Sequence, residues 1–113
     1  MPALLPFYAA LAGAILCGVA GQVLFKTGAT RGAGVLGQFL DPFTVLGLGF
    51  YAVAAVFYIL AIRRIPVSLA FPTSSLSYIA VALIAHYFWG EPLGLAQLAG
   101  ILFIILGLVL LHQ

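Results

Sequence analysis

At 113 residues the chain is sized for one domain, and 65% of it is apolar while only 5% is charged. A soluble domain is about half apolar and about a quarter charged, so four Lys/Arg and two Asp/Glu cannot build a water-facing surface. Lipid is the implied surrounding; a net charge of +2 without a basic run excludes a nucleic-acid surface, and a lone Cys17 excludes an internal disulfide.

Crossing the hydrocarbon core takes about 20 apolar residues in a helix. Residues 3–25, 43–62, 67–89 and 93–111 reach that length. Each stretch is continuously apolar, and lipid-facing backbone must satisfy its own hydrogen bonds, which an open sheet cannot do. The expected fold class is all-α integral membrane: a single domain over residues 1–113 forming a four-transmembrane-helix bundle, paired as a dimer.

The first stretch has no Lys or Arg before Lys26 and is longer than the apolar core of a signal peptide, so it is read as a retained helix. Gln22 and Lys26 are four residues apart and share one helix face. Gln22 lies about a turn inside the membrane, where its amide needs a partner on another helix or on a ligand. Lys26 either snorkels to headgroups or meets substrate. From Thr27 to Leu40, the glycines Gly28, Gly32, Gly34 and Gly37 predict the longest loop. Within it Val35, Leu36, Phe39 and Leu40 are available for a short interfacial helix.

Asp41-Pro42 reads as an N-cap with proline at the first position of the second helix. That helix stops at Arg63 and Arg64, which anchor it to headgroups or fork onto a phosphate. Tyr51, Tyr87 and Trp89 are read as interface belt and packing, whereas Tyr58 and Tyr78 lie deeper and are candidate substrate contacts.

The third helix carries Ser68, Thr73, Ser74, Ser75, Ser77 and Tyr78 around Pro72. Proline removes the backbone bond to Ser68 and clashes with that turn, so a kink or break is expected. A hydroxyl there either lines a cavity or bonds back to its own helix. Each serine alone is read the second way, and the cluster with its proline as a cavity wall. Glu91-Pro92 opens the fourth helix, with Glu91, like Asp41, complementing a helix start. Gly100 and Gly107 sit one heptad apart, either against a partner or packed within the chain.

The Lys/Arg count is two against two: Arg63 and Arg64 on the side of the termini, Lys26 and Arg31 on the other. The positive-inside rule then has nothing to act on. Two readings stand. The chain inserts both ways and pairs antiparallel as a homodimer, with cations in both leaflets, or a partner subunit sets one orientation. Four helices of this size fill their own centre, so a pathway within one chain is not expected. No metal-ligand cluster, phosphate loop or nucleophile–base spacing is present in the sequence, so neither an enzyme nor a cofactor is expected.

Several strings carry a resemblance: Val19-Ala20-Gly21-Gln22 leading to Lys26, Ile65-Pro66-Val67-Ser68-Leu69-Ala70-Phe71-Pro72, Ser75-Leu76, and Trp89-Gly90-Glu91-Pro92. Their order and spacing resemble the small multidrug resistance proteins of the drug/metabolite transporter superfamily, and within it the aminoarabinose-phosphoundecaprenol flippase subunits. Drug exporters of that kind carry a membrane-embedded glutamate eight residues before the lysine matching Lys26; here that position is Gly18. Exchange of a cation for protons needs such an acid, so the resemblance favours the flippase branch. That branch is thought of as two different subunits, which implies a heterodimer with a similar small chain.

The resemblance implies a transporter or flippase subunit in a bacterial inner membrane. Its substrate would be a polyprenyl-phosphate-linked sugar or a similar anionic lipid. Gln22, Tyr58, Ser68, Thr73, Ser74, Ser75, Ser77 and Tyr78 would form the polar slot, with Lys26, Arg63 and Arg64 meeting the phosphate. An anionic head gains about 2.3 kcal/mol per charge per 100 mV on leaving an inside-negative compartment. Two rival classes stay open: a small multidrug resistance-type exporter of cations or metabolites, and a non-transporting subunit that stabilises a membrane enzyme.

Overall fold

The computed structural model describes residues 2–31 and 34–113. Gly32, one of the expected loop glycines, lies outside the described residues. After a short 3-10 turn at Pro2–Leu4 come α1 (Leu5–Ala29), α2 (Gly34–Leu40), α3 (Pro42–Ala61), α4 (Val67–Thr73), α5 (Leu76–Trp89) and α6 (Leu95–Leu111). The described residues contain no strand. Three spans are long and apolar enough to cross a membrane: α1, α3 and the 23 residues Val67–Trp89. The fourth, α6, has 17 residues and rises about 26 Å, a little short of a hydrocarbon core of about 30 Å.

α1 is longer than its apolar run. Its backbone ladder passes Lys26 and closes at Thr30, whose N–H donates to the Lys26 carbonyl at 3.0 Å. The expected long loop is correspondingly short. Gly28 is helical, and its missing side chain lets α3 pack close: an ideal Cβ there would collide with the Thr44 Oγ1 and lie 3.2 Å from the Thr44 nitrogen. Gly37 is also helical, inside α2, while Gly34 starts that helix at φ +77°. Val35, Leu36, Phe39 and Leu40 of α2 are exposed, as suits a helix lying in an interface.

α3 begins as its sequence dictates. Asp41 is extended, and its carboxylate accepts the Phe43 N–H at 2.9 Å with Pro42 at the first turn. Asp41 is buried and pairs with Arg31, whose guanidinium also lies 5.2 Å from the Phe43 ring.

α1 and α3 form the tightest pair in the chain. Without water to drive association, helices in lipid depend on close contact over small residues. The crossing lies at Gly21 and Gly47, where an ideal Cβ on either comes within 3.0–3.2 Å of the other's carbonyl oxygen. Phe25 and Tyr51 pack edge to face beside it, ring centroids 5.0 Å apart. At the far end Leu11 of α1, Ala61 and Ile65 around the end of α3, and Ala70 of α4 make the buried core.

The Gly28–Thr44 contact gives a test with a reversed sign. Gly→Ala inside a helix ordinarily stabilises by about 1 kcal/mol. Here Gly28→Ala should destabilise, by about 1–3 kcal/mol of overpacking, and Thr44→Ala in that background should recover most of the loss. Thermal unfolding in detergent reads both; a stabilised Gly28→Ala would refute the packing.

The third span breaks where Pro72 predicts. The helix pauses at Ser74 and Ser75, both right-handed, and tightens into three-residue turns: Ser75 N–H to Pro72 O at 2.9 Å, Ser77 N–H to Ser74 O at 3.0 Å. α5 ends at Gly90, φ +65°, a left-handed residue that lets Glu91 N–H return to Ala85 O at 3.2 Å. α6 starts two residues later than its apolar run suggests, at Leu95, with the Gln97 side chain accepting the Gly94 N–H at 3.0 Å. Glu91 is therefore not the cap of that helix: three residues, Pro92–Gly94, separate it from the first turn.

α6 returns along the bundle, so that His112 meets Tyr8 near the start of α1 (centroids 6.5 Å apart) and Thr73 at the break (3.5 Å). None of its residues is buried. Among the described residues, no atom of a neighbouring element comes within 4 Å of where a Cβ on Gly100 or Gly107 would stand.

Candidate functional site

Between α1, α3 and the broken third span lies a 650 Å³ cavity. Each helix contributes one stripe. α1 brings Ala14, Gly18 and Gln22, four residues apart in series. α3 brings Tyr51, Ala54, Ala55 and Tyr58, at spacings of three, four and seven. The third span brings Ser74 from its break, then Ser77, Tyr78, Val81, Ala82 and Ala85, with Glu91 at the far end. Small residues leave the room and the longer polar ones reach into it.

Gln22 finds its partner across this space: its Nε2 donates to the Tyr51 hydroxyl. The bond answers the question the amide raised in the sequence, with a side chain of α3 rather than a ligand alone.

The hydroxyls of the third span divide. Thr73 donates to Leu69 O at 2.6 Å, Ser74 to Ala70 O at 3.0 Å and Ser77 to Ser74 O at 2.7 Å. Each thus bonds back to its own span near the proline, as single serines were expected to, though none reaches the Ser68 carbonyl that Pro72 leaves without its N–H. Ser74 and Ser77 still face the cavity, where their oxygens retain accepting capacity, and so do Tyr58 and the largely exposed Tyr78. Ser68, Thr73 and Ser75 do not line it.

The cations separate as well. Arg63 and Arg64 lie at the opposite end of α1 from Lys26, with the Arg64 guanidinium 5.7 Å from the Phe7 ring, and neither borders the cavity. Lys26 borders a smaller, adjoining 160 Å³ hollow that shares Gln22, Val81, Ala85 and Glu91 with the larger one. Its Nζ is 3.2 Å from Glu91 Oε2, and 45% of each side chain is exposed. Both carboxylates of the chain are thus spent on the cations of one end, Lys26–Glu91 and Arg31–Asp41.

Sequence reasoning missed Tyr51 and Glu91. Tyr51 carried a usable signal, since it stands seven residues before Tyr58 and so on the same stripe of a helix. Glu91 carried none, because only the fold brings it beside Lys26.

Compared with known protein families, residues 2–113 match the EamA-like transporter family. Over its full length the chain is 33% identical to the uncharacterized protein y4nH of Sinorhizobium fredii, covering 96% of that protein. It is 36% identical over 66 residues to the probable 4-amino-4-deoxy-L-arabinose-phosphoundecaprenol flippase subunit ArnE of an Enterobacter species. That match covers 58% of this chain and 62% of the relative. It is 41% identical over 76 residues to the probable flippase subunit ArnF of Shewanella sediminis, covering 64% of this chain and 52% of the relative. No solved structure matches.

Proposed function

We propose a lipid-translocating role from one premise: the chain belongs to the EamA-like transporter family. On this reading it is a multi-pass subunit of a bacterial inner-membrane flippase. The substrate is a polyprenyl-phosphate-linked sugar or a similar amphipathic lipid. One observation carries the reading, the polar groove among α1, α3 and the third span, bounded outside by apolar helix faces. A sugar head needs hydrogen-bonding walls to leave water, and Gln22, Tyr58, Ser74, Ser77 and Tyr78 supply them while the tail stays in lipid. The break at Pro72 is what puts Ser74 and Ser77 on that wall. The flippase-subunit relatives support the same class of substrate.

In this proposal α6 is the fourth crossing, and its uncovered glycine stripe packs on a second small subunit, a copy of this chain or a similar one. The pair, antiparallel or not, encloses the groove that one chain leaves open. Arg63 and Arg64 then serve the headgroup region of the opposite leaflet.

The rival reading, proton-coupled export of a cation, has one support, the Glu91 carboxylate at the cavity. Lys26 speaks against it, since an incoming cation would have to displace a lysine. Reconstituted chain, alone and with a candidate second subunit, should move a fluorescent polyprenyl-phosphate sugar between leaflets at least about tenfold faster than empty liposomes. Export of a quaternary ammonium compound without lipid movement would defeat the proposal.

A further inference from the structure

The groove is closed in different ways at its two ends. At the end carrying Arg63 and Arg64, Leu11, Ala61, Ile65 and Ala70 are each at most 2% exposed and join α1, the end of α3 and α4 in one apolar corner. At the other end the third span is held to α1 by charge: Lys26 Nζ lies 3.2 Å from Glu91 Oε2, with 45% of each side chain exposed. Among the described residues, this is the one ion pair or side-chain hydrogen bond between the α1–α3 pair and the chain beyond Ile65. Gln22–Tyr51 and Arg31–Asp41 join α1 to α3 and its cap, and Thr73–His112 joins the third span to the end of α6.

We propose that the Lys26–Glu91 pair is a latch. The third span turns about the buried corner, and breaking the pair opens the groove at the Lys26 end. The device belongs to the groove itself and does not rest on which substrate the groove takes.

Three observations carry the assignment. First, the two ends part in a fixed order. Separating the corner exposes apolar side chains to their full cost, whereas a half-exposed ion pair contributes little and yields to water and salt. The charged end therefore opens first.

Second, the pair spans a hollow rather than a packed seam. Both side chains border the 160 Å³ space that meets the main cavity at Gln22, Val81, Ala85 and Glu91, so parting them widens a passage already formed. Pro72 stands two residues from Ala70 of the corner. A proline there removes a ladder bond, so the third span can bend beside the corner without breaking an intact helix.

Third, Glu91 keeps its place when the pair parts. The left-handed Gly90 turns the chain, Glu91 N–H donates to Ala85 O at 3.2 Å, and His86 Nδ1 donates to the Glu91 carbonyl at 2.9 Å. Backbone thus holds the carboxylate where Lys26 can rejoin it.

The chain's one tryptophan, Trp89, lines the hollow with Lys26 and Glu91 and reports on its opening. Full-length protein in nanodiscs, without added substrate, would be mixed with acrylamide, a neutral quencher. Lys26→Met and Glu91→Gln should each raise the quenching constant at least about twofold, and the reversed pair, Lys26→Glu with Glu91→Lys, should return it toward wild type. Raising the ionic strength from about 0.02 M to about 0.5 M should open wild type and leave the single variants unchanged. In a Cys17→Ser background, Ala82→Cys in the groove should react faster with a water-soluble maleimide when Lys26→Met is added, and Ala10→Cys beside the corner should not. Quenching indifferent to both single substitutions and to salt overturns the latch. So does a reversed pair quenched as strongly as the single variants, which marks a local effect of the lost side chain. Equal gains at Ala82→Cys and Ala10→Cys overturn it too, since the whole chain would then be loosening. Should Glu91→Gln not be recovered folded, Lys26→Met and the salt series decide. None of these measurements reads lipid movement, so the latch and the lipid reading fail separately.

Discussion

Gly47→Leu is expected to separate α1 from α3 and to lower the stability of the folded chain by about 3 kcal/mol, the upper end of ordinary overpacking. At Gly47 even a Cβ would stand 2.8 Å from the Phe25 ring and 3.0 Å from the Gly21 carbonyl oxygen. Phe25 can turn aside; the Gly21 backbone cannot without parting the helices. Three further carbons of leucine leave no alternative. Because α1 against α3 is the main packing in the chain, the change should also remove the groove that both helices line. Gly49→Leu is the matched control: the same helix, two residues on, with nothing within 4 Å of its Cβ position. Thermal unfolding in detergent, followed by size exclusion, compares the two. Equal midpoints for the two variants would show that α1 and α3 do not cross at these glycines.

If the chain moves lipid as proposed, Gln22→Leu is expected to slow that translocation about tenfold, and Tyr51→Phe nearly as much. One neutral hydrogen bond contributes about 1 kcal/mol net, and a polar group left unpaired in an apolar site costs more. Tyr51→Phe keeps the ring that packs on Phe25 and deletes only the oxygen that receives Gln22 Nε2. The freed amide can then turn away from the position a head would meet. Acting through one bond, the two substitutions should not add: the double variant should be little slower than the worse single one. Initial rates in proteoliposomes provide the cycle. Additive losses would mean that the bond does not position Gln22, and wild-type rates in both single variants would remove Gln22 from the site.

Several local features could be read directly from residues. The Asp41-Pro42 cap, the break at Pro72 and the stop of α3 before Arg63 each follow from chemistry within one helical turn. The ends of α1 and α6 did not follow so simply. Lys26 marks where the apolar run stops, yet the ladder continues to Ala29 because nothing in Lys26-Thr27-Gly28-Ala29 breaks a helix and Thr44 packs where Gly28 lacks a side chain. At α6 the apolar run begins at Leu93, but Gly94, extended at φ −85° and ψ −171°, holds the helix off until Leu95.

The polar site was legible in part for the same reason. Gln22 demanded a partner, Ser74 and Ser77 marked a broken helix, and Tyr58 pointed inward. Which hydroxyl would receive the amide, and which of four cations would border the smaller hollow beside the cavity, depended on residues far apart in the chain. Arg63, Arg64, Ser68, Thr73 and Ser75 were equally plausible by type and lie elsewhere.

Composition and run length determined that this is a helical membrane protein, since a chain with 5% charged residues needs lipid for its surface and continuously apolar runs of about 20 residues satisfy their backbone there as helices rather than as alternating barrel strands. Tertiary structure alone decided that Glu91 meets Lys26 and Tyr51 meets Gln22. Hydrophobic periodicity records which side of a helix avoids water. In lipid every side is apolar, so the choice of neighbour passes to the close approach of glycines and to a few polar contacts, and those exist only once the helices have met.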